Sequence, residues 1–275
     1  MGKIILVSLP IGNLKDLTAR AQEVLALETN FFAEDTRVFK SLLSELGIQY
    51  AEKFIDSFHD HTEGKMTKIA SIIESGKNVV MVSDAGSPVI SDPAYPILKW
   101  AKANSVEVDS VPGVTSVVVA LELSLFPAIP FTFWGFFPRS DKDKKDLLEK
   151  SIGLGGTHIY FESPHRIIET LHHIKKCFPE AEVALMRELT KKFQSVYRFK
   201  ANEFKEEDVM VKGEFVIVLY APVTGESLSS SELKSMVDEY LNTKSSAKQL
   251  AKIFSKITGE NSSDIYDRLN RHSKS

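Results

Sequence analysis

Short apolar runs end abruptly in clusters of glycine, proline, hydroxyl and acidic residues, and helical periodicity then takes over. This alternation recurs along most of the chain. Lys3–Ser8, Phe31–Ala33, Lys53–Phe58, Asn78–Val82 and Val106–Val111 read as strands, rich in β-branched or aromatic residues and short enough to be buried. Between them, apolar positions three and four apart predict helices. One carries Leu17, Ala21, Val24 and Leu25 behind a cap at Asp16 or Thr18, one runs from Val38 to Leu46 and stops at Gly47, and others span 94–103 and 117–125. Pro127 and Pro130 rule out a continuous helix across 126–130 and mark a joint. A second series follows, with strands at 131–136, 157–161, 182–186, 195–200 and 213–220 and helices at 141–152 and 167–177. From Gly225 the character changes to a serine-rich link at 227–231, then helical patterns at 233–241, 247–257 and 264–269. The pattern predicts an α/β fold in two domains, 1–125 and 126–224, with a small helical appendage at 225–275.

Composition narrows this picture only modestly. A chain of 275 residues, 43% hydrophobic and 26% charged, can bury a sizeable core. The net charge of −3 gives no global attraction to nucleic acid, so such a partner must be met by a local patch. Cys177 is the single cysteine, which excludes an internal disulfide and a multi-cysteine metal site. No apolar run approaches spanning length and none resembles a leader, so a cytoplasmic address without membrane contact is expected.

Candidate chemistry lies in the breaks after the strands, where open α/β sheets bind ligands. The richest is Ser83-Asp84-Ala85-Gly86-Ser87-Pro88-Val89-Ile90-Ser91-Asp92-Pro93, in which Gly86 permits unusual backbone angles and the serines and aspartates supply oxygens. Leu9-Pro10-Ile11-Gly12-Asn13-Leu14 is a second, and neither holds a dinucleotide fingerprint or a P-loop. Glu34-Asp35-Thr36-Arg37 follows another strand; its acids suit a site or a helix cap equally. Thr115 and Ser116 open a helix and serve either as caps or as ligand contacts. His59 and His61 flank Asp60 without metal-binding spacing, so no metal is expected and a polar loop near substrate is the reading. Arg187, Lys191, Lys192, Arg198 and Lys200 form the most basic stretch, suited to a phosphate backbone or to a solvated face.

Taken together, the motifs at 9–14, 33–37 and 83–93, with Tyr160-Phe161-Glu162-Ser163-Pro164-His165-Arg166 and Arg187-Glu188-Leu189-Thr190-Lys191, resemble the RsmI family. These are bacterial methyltransferases that modify the ribose 2′-oxygen of a cytidine in small-subunit (16S) ribosomal RNA, a branch of the tetrapyrrole methylase-like superfamily. The resemblance spans nearly the whole chain. It implies the two-domain class III methyltransferase fold, a homodimer, and S-adenosylmethionine in the cleft between domains. By motif, the donor would meet Pro10, Ser83, Asp84, Ala85, Gly86, Val89, Thr115, Ser116, Phe161, Met186 and Gly213.

Ribose methylation needs in-line alignment and management of the hydroxyl proton. Asp35, Glu34, His59 and Glu188 are candidate bases, and Arg37, Arg166 and Lys191 candidate cations; Lys191 with Glu188 is favoured, with Asp35 and Arg37 also retained as catalytic candidates. His59, His61, Arg139, Glu162, His165, Arg166, Arg187 and Lys192 are expected to meet the substrate, a small ribosomal subunit or its RNA. A tetrapyrrole acceptor and a non-catalytic ribosome-binding role are the rival readings.

Overall fold

The structure, a computed structural model, describes residues 1–58, 63–90, 95–222, 247–258 and 261–272. The chain divides into two compact units, Met1–Pro222 and Val223–Ser275. Both sheets belong to the first. Strands β1 (Ile4–Val7), β2 (Asn30–Ala33), β3 (Phe54–Ser57), β4 (Val79–Val82) and β5 (Val108–Val111) are all parallel, in the order β3-β2-β4-β1-β5. The central strands β1 and β4 read Ile-Ile-Leu-Val and Val-Val-Met-Val, the continuous apolar character of strands covered on both faces. At the edge, β5 carries Asp109 instead, which pairs with Lys3 (3.0 Å) and Arg20 (3.1 Å).

Helices α1 (Ala19–Leu27) and α2 (Thr36–Glu45) cover one face, packing Leu25, Phe39 and Leu43 onto Val7, Phe31 and Val80. Helices α3 (Glu63–Glu74) and α4 (Tyr95–Ala103) cover the other, packing Ile69, Ile73 and Ile97 onto Ile4, Phe32 and Val79. Thr18 caps α1 by accepting the Ala21 N–H at 3.2 Å, and Gly47, at φ +70°, closes α2. Helix α3 is absent from the sequence-based expectation. Only Met66, Ile69, Ile72 and Ile73 mark its apolar side, amid Gly64, Lys65, Lys68 and hydroxyl residues, so the pattern is dilute.

The second sheet holds β6 (Phe131–Phe136), β7 (Gly156–Glu162), β8 (Glu182–Arg187), β9 (Ser195–Lys200) and β10 (Phe215–Ala221), in the order β6-β7-β10-β8-β9. Only β6 and β7 run parallel; the other pairs are antiparallel. Helix α5 (Ser116–Ser124) leaves the first sheet and lies on this one, its Val117, Ala120 and Leu121 against Ile159, Ala184, Met186 and Val216. The opposite face packs Tyr160, Leu185 and Ile217 against α6 (Asp141–Leu154) and α7 (Ile167–Cys177). The proline-bearing link at 125–130 is tied to β7, because Thr157 donates its N–H to Pro130 O (3.0 Å) and its hydroxyl to Pro127 O (2.6 Å).

In the second unit, α8 (Ala247–Thr258) and α9 (Ser262–His272) pair, with Ala251 and Ile265 buried. Helix α9 begins earlier and runs longer than its pattern suggested. The expected helix at 233–241 lies outside the described residues. No helix among the described residues is long and apolar enough to cross a membrane.

Two leucines of α1 test the packing: Leu25 is fully buried, whereas Leu27 is 71% exposed. Leu25→Ala is expected to lower unfolding free energy by about 2–5 kcal/mol, and Leu27→Ala to change it by less than ~0.5 kcal/mol, in denaturant titrations.

Candidate active site

The chain after β1 turns to α1 on one face of the first sheet, and the chain after the neighbouring β4 turns to α4 on the other. Loops diverging in this way leave a crevice at the carboxyl ends of the strands. The two loops are stitched by a pair of backbone hydrogen bonds, Leu9 N–H to Gly86 O at 2.8 Å and Gly86 N–H to Leu9 O at 3.0 Å. Gly86 adopts φ +70°, and a β-carbon there would stand 3.4 Å from Ile11 Cγ2, so the turn is close and left-handed. Inside it, Ser83 donates its hydroxyl to Ala85 O at 3.1 Å. Pro10, Ser83, Gly86 and Pro88 are buried, Asp84 and Ala85 are exposed, and Val89 is half-buried.

The loop after β2 locks onto the same turn. Asp35 donates its N–H to Asp84 Oδ1 (3.0 Å), and Asp84 donates its own to Glu34 Oε2 (3.1 Å). Asp35 also caps α2 and receives a forked contact from Arg37, Nε to Oδ1 at 3.1 Å and Nη2 to Oδ2 at 2.6 Å. That side-chain contact holds the Asp35 carboxyl well below the usual carboxylate range, and the same contact raises the guanidinium. Asp35 thus ties the turn through its backbone N–H, while its side chain caps α2 and pairs with exposed Arg37.

At the start of α5, Thr115 sits in the N-cap position with extended geometry but makes no capping hydrogen bond through its side chain. The first-turn N–H groups of α5 therefore lack this usual partner. Gly113 lies against Ser8, where a β-carbon would come within 2.9 Å of Ser8 Cβ.

The second sheet contributes an edge of its own. Register aligns Glu162 at the end of β7, Phe215 at the start of β10 and Arg187 at the end of β8. The loop leaving β8 is strained twice, with Glu188 at φ +53° and Thr190 at φ +63°. Glu188 accepts the Glu214 N–H (2.9 Å) and the Lys191 ammonium (3.1 Å), while Lys191 also reaches Glu214 Oε2 (3.0 Å). The Glu214 N–H, followed by Lys191, holds the Glu188 carboxyl below its ordinary range. Burial pulls the Lys191 ammonium down, but its bonds to Glu214 and Glu188 outweigh this, and the net direction is up. Gly213, at φ +96°, leaves room for that carboxylate, since a β-carbon there would overlap it.

Gly12 joins the two edges. A β-carbon on it would overlap Lys191 Cγ and crowd Thr190 Oγ1 (3.1 Å) and Leu189 O (3.2 Å), so the loop after β1 and the loop after β8 touch through a glycine. Nearby, Thr190 Oγ1 is buried without a hydrogen-bond partner among the described residues. The signals for Gly12, Thr190 and Glu214 were weak in the sequence, because a single glycine, threonine or glutamate in a loop is ordinary.

The structure also redistributes the expected substrate residues. Glu162 is buried: it accepts Arg166 Nη2 (2.6 Å), the Thr170 hydroxyl (2.8 Å) and the Ser163 N–H (2.6 Å), so its oxygens face inward. Arg187 is likewise buried, and its guanidinium donates to Lys212 O and to Phe193 O (3.0 Å). Both are corrected to structural roles: a side chain committed to internal partners and closed to solvent does not meet a macromolecule. Arg166 is largely spoken for as well, donating to Ser163 Oγ, Phe137 O and Pro138 O, which pins the loop bearing exposed Arg139 beside exposed His165. Lys192 is exposed. Met186 is fully buried, aligned through Val216 with half-buried Phe161 as an apolar floor beneath α5. His59, His61 and residues 91–94 lie outside the described residues. Among the described residues, no group of three or more His, Cys, Asp or Glu side chains is placed to hold a metal ion.

A parallel sheet with a loop-lined crevice, beside the edge of a mixed sheet, defines a two-sheet α/β architecture, and comparison with known proteins places it. The family model for tetrapyrrole (corrin/porphyrin) methylases matches residues 3–205. Ribosomal RNA small subunit methyltransferase I of Mycoplasmopsis pulmonis is 38% identical over 80% of this chain and 98% of its own length. The protein of that name from Xylella fastidiosa is 34% identical over 92% of this chain and 94% of its own length. Uroporphyrin-III C-methyltransferase from Thermus thermophilus, solved with S-adenosylhomocysteine, shares the fold with a TM-score of 0.55 at 17% identity, covering 80% of this chain and 97% of that one. The chain belongs to the tetrapyrrole methylase family and, within it, to the ribosomal RNA small subunit methyltransferase I (RsmI) group, and is a methyltransferase.

The Asp35–Arg37 pair gives a pH prediction. A carboxyl held low in the folded state contributes stability above its unfolded pKa and loses it as pH falls through the folded value. In carbon-detected NMR titrations Asp35 is expected to stay ionised below the ordinary carboxylate range, and Arg37→Met to raise its midpoint part of the way back, since the Arg37 and Val38 N–H groups still bond the carboxylate.

Proposed function

We propose that this chain binds S-adenosylmethionine between the two sheet edges and methylates the ribose 2′-oxygen of a cytidine in small-subunit ribosomal RNA. The convergence at Gly12, where the Leu9–Gly86 crevice meets the Glu188–Lys191 loop, is the observation that carries the reading. The residues present suit such a donor. Gly86 gives the crevice its left-handed turn, Thr115 makes no capping hydrogen bond at the start of α5, and half-buried Val89 and Phe161 supply apolar surface, with Met186 buried in the same core as Phe161. Pro10, Ser83, Asp84, Ala85 and Ser116 complete the set that would hold it. Bound there, the donor supplies an activated methyl on a sulfonium.

The protein's part is alignment and charge. Lys191, held cationic by Glu188 and Glu214, is placed to stabilise negative charge growing on a ribose oxygen. Glu188 stays ionised beside it and takes the hydroxyl proton. It is a weak base, and Lys191 compensates by stabilising the alkoxide character that develops as the proton leaves during methyl transfer. Asp35 acts at one remove, its N–H bracing Asp84 and its carboxylate holding Arg37. Exposed Arg139, His165 and Lys192 line the second edge and face the RNA. The relatives' names support the RNA substrate, and the resemblance to them supports a cytoplasmic homodimer.

Labelled S-adenosylmethionine incubated with small subunits from a strain lacking the modification, followed by nuclease mapping, tests the reading. Label is expected on one cytidine's ribose, with efficiency falling steeply as salt rises. Label absent from the subunits, with donor binding intact, points to another acceptor. Lys191→Ala is expected to lower the single-turnover rate by about 100-fold while donor affinity by calorimetry changes little.

A further inference from the structure

The loop that carries Glu188 and Lys191 ends in an aromatic ring that the chemistry above leaves unused. Phe193 is 65% exposed, a large apolar surface to leave in water. Its backbone is nevertheless held firmly. Arg187, buried beneath, donates to Phe193 O at 3.0 Å and to Lys212 O, so one guanidinium fixes both the 188–194 loop and the neighbouring 210–213 turn. Lys191 N–H bonds Glu188 O (3.0 Å), Gln194 N–H bonds Lys191 O (3.1 Å), and the Gln194 side chain accepts the Thr190 N–H (2.7 Å). The loop is therefore a braced platform.

The surroundings of the ring are cationic and apolar together. The Lys192 ammonium lies 5.6 Å from the ring centroid, and Lys212 is exposed on the adjoining turn beside Met210 and Val211, themselves 60% and 47% exposed. An exposed aromatic face flanked by lysines matches the chemistry of an unpaired nucleotide, in which a flat base stacks while its phosphates meet the cations. A purely apolar partner would leave both ammoniums desolvated and unpaired.

We propose that Phe193 is a stacking platform for an unpaired base of the RNA, next to the ribose that Lys191 addresses, with Lys192 and Lys212 on its phosphates. This rests on the RNA reading given above. Rigid presentation means little ordering is needed at binding, which makes the ring an effective anchor.

The test compares wild type with Phe193→Ala, Phe193→Leu and Phe193→Trp on unmodified small subunits, measuring kcat, KM and the salt dependence of kcat/KM, with donor affinity by calorimetry. Phe193→Ala and Phe193→Leu are expected to raise KM for subunits by about 5- to 100-fold. Donor affinity and the salt slope should stay near wild type, and Phe193→Trp should restore KM. Lys192→Ala is expected instead to reduce the salt slope by about 1. If wild type does not methylate subunits, the RNA reading itself fails. If wild type does and Phe193→Leu equals it, stacking is wrong. If Phe193→Ala leaves KM unchanged and alters the sedimenting mass, the ring is a protein contact and the proposal falls.

Discussion

The close approach of the loop after β1 to the loop after β8, permitted by Gly12, is the constraint on which the rest of the site depends. Each sheet alone presents an open edge of strand ends and turns. Brought together, they set the Leu9–Gly86 stitched loops beside the loop that carries Glu188 and Lys191, the two edges between which donor binding is proposed. Helix α5 makes the approach durable, since it leaves β5 and buries Val117, Ala120 and Leu121 on the second sheet. Burial of that apolar surface anchors the first sheet's last crossover to the second sheet.

Polar groups in these loops are arranged as mutual supports. Glu34, Asp35 and Asp84 exchange backbone and carboxylate hydrogen bonds, so the turns after β2 and β4 fix each other. Glu188 and Glu214 flank Lys191, which compensates two carboxylates that would otherwise repel. The positive φ of Glu188 and Thr190 costs on the order of 1–3 kcal/mol each, and such strain persists where surrounding contacts over-determine it. Here Arg187 and the Gly213 gap are those contacts. The strained loop is also the one bearing Glu188 and Lys191, the side chains proposed for the chemistry.

Much of this was legible in the chain, for reasons that differ by element. The runs at 79–82 and 215–221 are apolar throughout because both faces are covered, and Thr18 and Gly47 announced the ends of α1 and α2. Helix α3 escaped notice because its apolar side is thinly populated and preceded by a polar stretch. The antiparallel order of the second sheet has no local signature, since its pairing joins residues far apart, such as Met186 with Val216. Arg187 and Glu162 misled for a common reason: sequence reports charge but not the buried carbonyls and hydroxyls that charge can satisfy. Arg198, in the same basic stretch, similarly donates to the carbonyls of Leu123 and Ser124 at the end of α5.

The central claim is that the two edges form a single donor-binding cleft through Gly12. Calorimetric titration of S-adenosylmethionine into Gly12→Val, alongside its melting temperature and circular dichroism, tests this most directly. A β-branched side chain at that position must displace Lys191 and Thr190, so donor affinity is expected to fall by at least about 10-fold while secondary structure is retained. Wild-type affinity in a folded Gly12→Val protein would contradict the account.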